Sequence, residues 1–465
     1  MISKKVAIEV LNAGLATGAD FAEIYVEEIE GYGLRVENAK TQSPSSSILR
    51  GAGIRLLNGY NSVYGSTNDL SRRGLLKLAE TLSASFNEER KVTVEKITRV
   101  KVSKNNRAKK SGKDIPVEEK ISLLKETNDI ISSHSPSIVR TITSVSEERR
   151  TIQIFNSDGK EFRDFREHTR FGLLAVAANE DGIESAFEGP GLQGGYEYLE
   201  ESIDIRAMAK EVAEGAINAL NAKDAPSGKM PVVIGNGFGG VIFHEACGHA
   251  LEATSVAKGF SVFANKIGEQ IANPVVTAID DGTIENGWGS MNVDDEGNKA
   301  RRNVLIKDGV LQSYMVDAFN GRRMNTEPTG STRRQNYRYE PTSRMTNTFI
   351  DNGESTVEEI IASVDLGLYA KKLGGGSVVP GTGDFNFAAT EAYIIRNGKI
   401  AEQVKGATLI GNGAEILKNI DMVGNDLKRG QGMCGSASGS IQADVGQPTI
   451  RVSEITVGGA GGELR

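Results

Sequence analysis

The chain has 465 residues, enough for more than one hydrophobic core. Its 54 basic and 61 acidic side chains leave a net charge of -7, so the composition gives no reason to expect a nucleic acid or an anionic membrane as partner. Two cysteines exclude a disulfide framework. We find neither a bilayer-spanning apolar run nor a signal peptide, since Glu9 interrupts the first apolar segment, and therefore expect a cytoplasmic protein.

The N-terminal half predicts an α+β fold that contains α/β modules with antiparallel strands. Residues 1–86 form a first module, and residues 116–223 form a central one. Residues 87–115 are a charged linker with an edge strand rather than a nucleic-acid patch, because no aromatic residues interleave the lysines. The predicted helices cover residues 3–16, 116–132 and 203–222, with another capped at 67–69 and running through 82, and the predicted strands cover 21–26, 32–36, 51–57, 62–64, 138–155 and 161–177.

Residues 230–465 are predicted to form a β-rich C-terminal domain, after a linker at 224–229. Asp308-Gly309 and Asn397-Gly398 each lie between apolar runs and predict tight hairpin turns. The charged, glycine-rich stretch at 280–302 is a candidate lid or interface.

Gly235 to Gly240 match the glycine pattern of a dinucleotide-binding turn that follows a strand. No alternating pattern of strands and helices continues after it, and no acidic residue ends a second strand about 20 residues later. The helix after a dinucleotide-binding turn packs against the sheet and has no need for polar side chains, yet the helix predicted here would carry several. We therefore interpret the glycines as allowing the backbone to turn tightly or to approach a substrate closely.

The stretch from His244 to His249 holds two of the four histidines and one of the two cysteines, around Glu245. Two imidazoles and a carboxylate can supply two zinc ligands and a base. Histidines five residues apart lie about 140° apart on a regular helix, so one ion cannot meet both. A metal site therefore predicts a distorted helix between Ala246 and Gly248, through a π-bulge or a turn at the glycine.

A catalytic zinc site needs a third protein ligand, and three residues are candidates. Cys434 lies in a glycine-rich loop that could bring a thiolate to the metal, although an inert thiol is equally consistent with the sequence. Glu252 could be a ligand or a carboxylate that fixes an imidazole tautomer. Cys247 lies between the histidines, where joint ligation is awkward, and we favour a small buried apolar role. A hydrolase with a cysteine nucleophile would leave Glu245 unexplained.

The C-terminal half closely resembles the TldD members of the TldD/PmbA family, described as zinc metallopeptidases, in a series of specific motifs that occur in order. The N-terminal half resembles the family in its layout. The matching stretches are Gly235-Asn236-Gly237, His244 to His249, Asn292 to Gly297, Arg344 to Thr348, Lys405 to Gly413, Met433 to Gly435 and Gly446 to Thr449.

The resemblance implies that 230–465 is a metallopeptidase domain in which His244, His249 and Cys434 bind Zn²⁺ and Glu245 is the general base. It implies extended or unfolded peptides as substrates. It also implies a PmbA (TldE)-type paralogue as heterodimer partner, although a homodimer is the alternative. The family's older label, modulator of DNA gyrase, need not mean DNA binding.

A different class of function stays open at this point. The chain could be a non-catalytic, zinc-containing regulatory or binding subunit, for which a closed site with four ligands is expected.

Cys247 would add a second thiol near the metal and could make the centre sensitive to oxidation.

Overall fold

Nine strands from the N-terminal half form one sheet in the computed structural model, which describes residues 1–103, 106–180, 182–379 and 382–461. These strands are β1 (Phe21–Glu37), β2 (Lys40–Thr41), β3 (Ser45–Asn58), β4 (Asn61–Thr67), β5 (Thr98–Arg99), β6 (Ile138–Asn156), β7 (Lys160–Ala178), β8 (Ile183–Glu188) and β9 (Gly191–Gln193). Their order is β4-β3-β1-β6-β7-β5, with β2 beside β1 and with β8 and β9 beside β7. Because β1 pairs with β6, residues 1–86 and 116–223 contribute to the same sheet.

Helices cover one face of this sheet in two separate layers. In the first layer α1 (Lys4–Gly14) and α2 (Arg72–Ser83) pack on apolar side chains such as Ile24 and Val26. In the second layer α3 (Val117–Ser132) and α5 (Ile205–Asn221) pack on Leu34 and Leu173. Successive side chains of a strand point to opposite faces. The charged residues that alternate with the apolar ones therefore face away from the helices. The helices are α1 (Lys4–Gly14), α2 (Arg72–Ser83), α3 (Val117–Ser132), α4 (Tyr198–Glu201) and α5 (Ile205–Asn221).

Two predictions for this half were wrong in detail. The separate strands expected at 21–26 and 32–36 are one continuous strand, because β3 and β6 pair with it on both sides and hold the charged stretch between them extended. The cap expected at 67–69 lies further along the chain, where the Ser71 side chain accepts from the N–H of Gly74.

The charged stretch at 87–115 contains the edge strand that was predicted for it. Its edge strand is β5, which pairs in parallel with β7. Lys109 and Lys110 form ion pairs with Glu201 and Glu200, and these side chains are exposed. Both lysines are thus paired with carboxylates of the central module.

The C-terminal half contains an eight-stranded, a six-stranded and a two-stranded sheet. The strands are β10 (Lys223–Asp224), β11 (Gly228–Ile234), β12 (Ala278–Asp281), β13 (Arg302–Lys307), β14 (Val310–Leu311), β15 (Thr332–Arg333), β16 (Thr342–Ser343), β17 (Asn347–Ile350), β18 (Leu366–Val378), β19 (Asp384–Arg396), β20 (Lys399–Lys405), β21 (Thr408–Asn412), β22 (Ile420–Val423), β23 (Lys428–Ser436), β24 (Gly439–Gln447) and β25 (Ile450–Gly458). The helices are α6 (Val241–Phe243), α7 (Ala253–Val256), α8 (Ala318–Met324), α9 (Val357–Ala362) and α10 (Gly413–Asn419).

The largest apolar core contains residues of both large C-terminal sheets and of the helical segment after β11. Both predicted hairpins are confirmed, since β13 turns into β14 at Asp308-Gly309 and β19 turns into β20 at Asn397-Gly398. All four turn residues have positive φ, as a two-residue type I′ turn requires. None of the helices in the described ranges combines the length and the apolar character that a bilayer crossing requires.

The stretch at 280–302 is an interface between the N-terminal sheet and the C-terminal half. Residues 287–297 are buried. Nη2 of Arg166 on β7 donates to the carbonyl of Val293 at 2.8 Å, and Nε2 of His168 lies 3.2 Å from the carbonyl oxygen of Trp288.

Buried ion pairs also cross this interface. Nη2 of Arg55 on β3 lies 3.1 Å from Glu23 on β1 and 2.5 Å from Glu296 of the C-terminal half. Arg334 contacts the other oxygen of Glu23 at 2.6 Å. Charges removed from water are stable only when they are paired in this way, so each partner depends on the others.

We predict that Arg55→Met lowers the free energy of unfolding by about 3–5 kcal/mol, because it leaves buried carboxylates without a partner. Arg50→Met is the matched control on the same strand, since Arg50 pairs with Glu28 on the surface, where such a pair contributes about 0–1 kcal/mol. Urea denaturation of both variants measures the difference. Equal losses would show that the buried carboxylates of Glu23 and Glu296 do not depend on Arg55 for a partner.

Candidate metal centre

The segment that carries both histidines changes its helical geometry along its length. A 3₁₀ turn at Gly237–Gly240 follows β11, and α6 then leads into a π-helix at His244–Gly248. A second 3₁₀ turn follows at His249–Leu251. The backbone N–H of His249 donates to the carbonyl of His244, which is the five-residue spacing that defines a π-helix. The distortion predicted for this helix is confirmed.

The π-helix places the two imidazoles side by side. The ring centroids of His244 and His249 lie 5.2 Å apart, and the ring planes meet at 85°. His244 is buried, while the His249 side chain is 18% exposed. The π-helix therefore brings the two histidines close enough for one ion to reach both, which a regular helix could not do.

Close packing fixes the backbone of the π-helix. A Cβ atom on Gly413, at the start of α10, would lie 2.1 Å from the carbonyl oxygen of Ala246. A Cβ atom on Gly248 would lie 2.3 Å from Sδ of the buried Met345. Either side chain would force its neighbour to move, so these glycines are needed for close approach.

The glycine-rich turn before the helix has a similar packing role. Gly237 has a φ of 70°, which favours glycine. A Cβ atom on Gly240 would lie 2.4 Å from the carbonyl carbon of Gly446 on β24. The turn thus lets the helix start directly against the six-stranded sheet. The tight backbone turn predicted from these glycines is confirmed at Gly237.

Cys434 reaches the histidines from a different element, strand β23. Its Sγ lies 3.3 Å from Nε2 of His249. One ligand atom from each of His244, His249 and Cys434 lies within 4.8 Å of the other two. Residues separated by 185 positions along the chain therefore meet at one point.

The other two candidate ligands lie elsewhere. Cys247 is fully buried in the large core, and its thiol donates to the carbonyl of Gly413 at 3.4 Å. Burial alone raises the pKa of this thiol, which makes it inert. Oε1 of Glu252 lies 3.2 Å from Nδ1 of His249, the nitrogen that faces away from Cys434. Glu252 is therefore placed to orient the imidazole of His249.

The charges of the centre stabilise one another. Burial opposes ionisation of the Cys434 thiol, but the neighbouring rings of His244 and His249 outweigh it and lower the pKa to about 3. Burial also disfavours charge on His249, yet Glu252 and the Cys434 thiolate raise its pKa well above the usual value. Both pKa shifts favour a thiolate on Cys434 beside a protonated imidazole on His249. Metal binding requires that imidazole proton to leave.

The donor set fits an ion of the zinc type. Two imidazole nitrogens and a thiolate are zinc donors, and tetrahedral bond lengths of about 2.0–2.3 Å put ligand atoms about 3.3–3.8 Å apart. The separation of 3.3 Å between Cys434 and His249 lies in that range. Nδ1 of His244 is buried without a hydrogen-bond partner among the described residues, so this ring has an uncommitted nitrogen.

Glu245 lies beside His249 and is more accessible than the three candidate ligands. Its Oε2 is 3.7 Å from Nε2 of His249, and its side chain is 30% exposed. The π-helix thus carries a carboxylate that reaches both the centre and solvent. Such a carboxylate can exchange protons with water.

Arg344 contacts the centre and was not predicted as a site residue. Its Nη2 donates to the carbonyl oxygen of Cys434 at 2.6 Å and lies 3.2 Å from the Cys434 Sγ. The signal that could have indicated it is its position in the motif from Arg344 to Thr348. Nothing in the residue spacing, however, relates that motif to Cys434.

Family models of the PmbA/TldA metallopeptidases match three consecutive parts of the chain. Domain 1 matches residues 22–86, the central domain matches 110–220, and the metallopeptidase C-terminal domain matches 227–459. The chain belongs to the TldD/PmbA family. The third match contains His244, His249 and Cys434, which meet in the candidate centre.

Curated relatives of this family are similar over nearly the whole chain. A protein of Haemophilus influenzae named metalloprotease TldD homolog is 37% identical over 448 residues, which cover 95% of this chain and 93% of the relative. A metalloprotease of Methanothermobacter thermautotrophicus is 32% identical, with 95% and 96% covered. A protein of Saccharolobus solfataricus named zinc metalloprotease TldD homolog is 26% identical, with 95% and 97% covered.

Solved structures share the fold of this TldD/PmbA protein. A Thermotoga maritima protein described as a modulator of a DNA gyrase has a TM-score of 0.77 and 21% identity, with 94% of this chain and 96% of that chain covered. TldE from Thermococcus kodakarensis has a TM-score of 0.76 and 18% identity, with 98% and 100% covered. Both likenesses concern the fold alone.

We predict that Gly413→Ala destabilises the metal-free protein by about 1–3 kcal/mol, the usual cost of overpacking a dense core, because the added methyl group collides with the π-helix. Gly435→Ala is the control beside Cys434, since a Cβ atom there meets nothing within 4 Å. Thermal and urea unfolding in the presence of a chelator measure both variants. A neutral Gly413→Ala would mean that the π-helix is not held by this contact.

Proposed function

We propose that this protein is a zinc-dependent peptidase that cleaves short or unfolded peptides, with zinc held by His244, His249 and Cys434. The observation that carries the proposal is the convergence of these three ligand atoms within 4.8 Å, beside an accessible carboxylate. Catalytic zinc sites use three protein ligands and keep one position open. The names of the relatives as metalloproteases agree with this function.

When bound, zinc supplies a Lewis acid for the scissile carbonyl and lowers the pKa of water at the open position. Glu245 takes a proton from the attacking water on its carboxylate and delivers it to the leaving amine. Glu252 holds the proton of His249 at Nδ1, so that Nε2 is free to be a ligand. His249 Nδ1 lies 3.2 Å from Glu252.

An extended backbone is the form of substrate that suits this site. Strand β23 carries Cys434 and lies at the edge of the six-stranded sheet. A peptide that added to such an edge would bind through its main chain, with little dependence on sequence. Met433, the neighbour of Cys434, is 51% exposed and would offer an apolar contact.

We further propose that the active assembly contains a second chain, either a TldE-type paralogue or another copy of this one. The shared fold with TldE of Thermococcus kodakarensis supports a partner of similar shape. A purely structural zinc in a binding or regulatory subunit is less well supported. Among the described residues, the candidate group contains three ligands rather than the four of a closed site.

Zinc stoichiometry tests the ligand set. We expect about one zinc per chain in the wild type and a loss of affinity in Cys434→Ser that exceeds the roughly 10–100-fold typical of losing an outer contact. Cys247→Ala is the control, because Cys247 lies in the core. Full zinc retention in Cys434→Ser would remove Cys434 from the ligand set, and no zinc in the wild type after reconstitution would refute the metal site.

The role of Glu245 is tested by Glu245→Gln, which keeps the shape of the side chain and removes its basicity. We expect zinc content to be unchanged and cleavage of unfolded casein to fall by about 10²–10⁴-fold, the contribution of a general base. Glu214→Gln on the exposed face of α5 is the control for loss of one carboxylate. A Glu245→Gln protein with both zinc and full activity would exclude Glu245 as the base.

A further inference from the structure

A fully buried arginine contacts the candidate metal centre from a segment that contributes no ligand. Arg344 lies between β16 and β17, and its side chain has no exposed surface. Its Nη1 donates to Oγ of Ser438 at 2.9 Å and to the carbonyl of Gly439 at 2.8 Å. These bonds fix the guanidinium against the β23–β24 hairpin.

The other terminal nitrogen of this guanidinium is directed at Cys434. Nη2 donates to the cysteine carbonyl at 2.6 Å and to its Sγ at 3.2 Å. One nitrogen thus holds both the backbone and the sulfur of the same residue. Such a contact restricts the side-chain rotamer of Cys434 to the one that points toward the histidines.

The same side chain also faces the histidine side of the centre. Its Nε lies 3.9 Å from Oε1 of Glu252, and that oxygen lies 3.2 Å from Nδ1 of His249. Arg344 therefore hydrogen-bonds one candidate ligand and lies at ion-pair distance from the carboxylate that faces the second. It joins the parts of the centre that come from separate elements of the fold.

We propose that Arg344 is a positioning residue of the metal centre, which orients the Cys434 thiolate and places Glu252 against His249. This inference rests on the zinc site proposed above. Its physical basis is that planar guanidinium donors have fixed directions, so they can hold a thiolate and a carboxylate at once. Outer partners of this kind orient ligands and tune the metal. A lysine would supply the positive charge but not the several N–H donors in fixed directions that a guanidinium has.

The formal charges of the centre agree with this role. Cys434, Glu252 and Glu245 can contribute three negative charges, and the guanidinium contributes one positive charge. With a doubly charged zinc ion, the group would be neutral before substrate binds. Without the arginine, an unpaired negative charge would remain in a largely buried place, which is unfavourable.

The test is metal binding rather than peptidase activity, with Zn²⁺ and with Co²⁺ as the spectroscopic probe. We expect Arg344→Met to bind Zn²⁺ about 10–100-fold more weakly than the wild type. The thiolate-to-Co²⁺ charge-transfer band should move to lower energy, because the sulfur loses a hydrogen bond. Arg344→Lys should recover part of the affinity. Arg50→Met, which removes an exposed arginine of β3, is the control for the same exchange far along the chain from the candidate ligands, and it should change neither property.

If Arg344→Met does not fold, Ser438→Ala provides a second test of the same inference. Ser438→Ala removes one anchor of the guanidinium and leaves its charge in place, and it should weaken Zn²⁺ binding about two- to tenfold. Unchanged affinity and an unchanged Co²⁺ band in folded Arg344 variants and in Ser438→Ala would overturn the inference and leave the zinc site intact. A wild type that binds neither ion would instead refute the site itself.

Discussion

The hydrogen bond from the His249 N–H to the His244 carbonyl determines what the rest of the candidate centre can do. It adds one residue to the helical turn, and two histidines five positions apart thereby meet on one side. The same turn leaves Cys247 in the apolar core and Glu245 partly exposed. A regular helix with this sequence would separate the two imidazoles, and no arrangement of Cys434 could compensate.

A π-helix is less favourable than a regular one, so its surroundings must hold it in place. The described structure does this with backbone contacts that leave no room for a side chain, at Gly413 against Ala246 and at Gly240 against Gly446. The glycine pattern that resembles a nucleotide-binding turn is thus used to bring a helix close to a sheet. One pattern in the sequence can meet different physical needs, because glycine permits close approach by any neighbour.

The features that could be predicted from the sequence are those encoded locally. Hairpins at Asp308-Gly309 and Asn397-Gly398, and the distortion within the histidine motif, depend on a few adjacent residues and were correct. The continuity of β1 was missed, because its charged middle is held extended by two neighbouring strands that are distant in sequence. Arg344 was missed as part of the site for the same reason, since its partner Cys434 lies 90 residues away.

Both halves of the structure bury charged side chains that are paired with one another. The N-terminal sheet buries apolar side chains under helices on one face and directs Glu23 toward Arg55 and Arg334 on the other. These pairs contribute orientation more than stability, because the cost of removing ions from water offsets much of their attraction. Arg344, which contacts Cys434 and faces Glu252, is a similar buried charge beside the candidate metal centre.

The distance along the chain between the ligands has a consequence for assembly. His244 and His249 are brought together by one helix, but Cys434 arrives only when the β23–β24 hairpin has joined the six-stranded sheet. The three candidate ligands therefore come together only in the folded C-terminal half. Binding of an ion to such a set would draw on the free energy of folding and would in turn stabilise the packing of helix, hairpin and Arg344 segment.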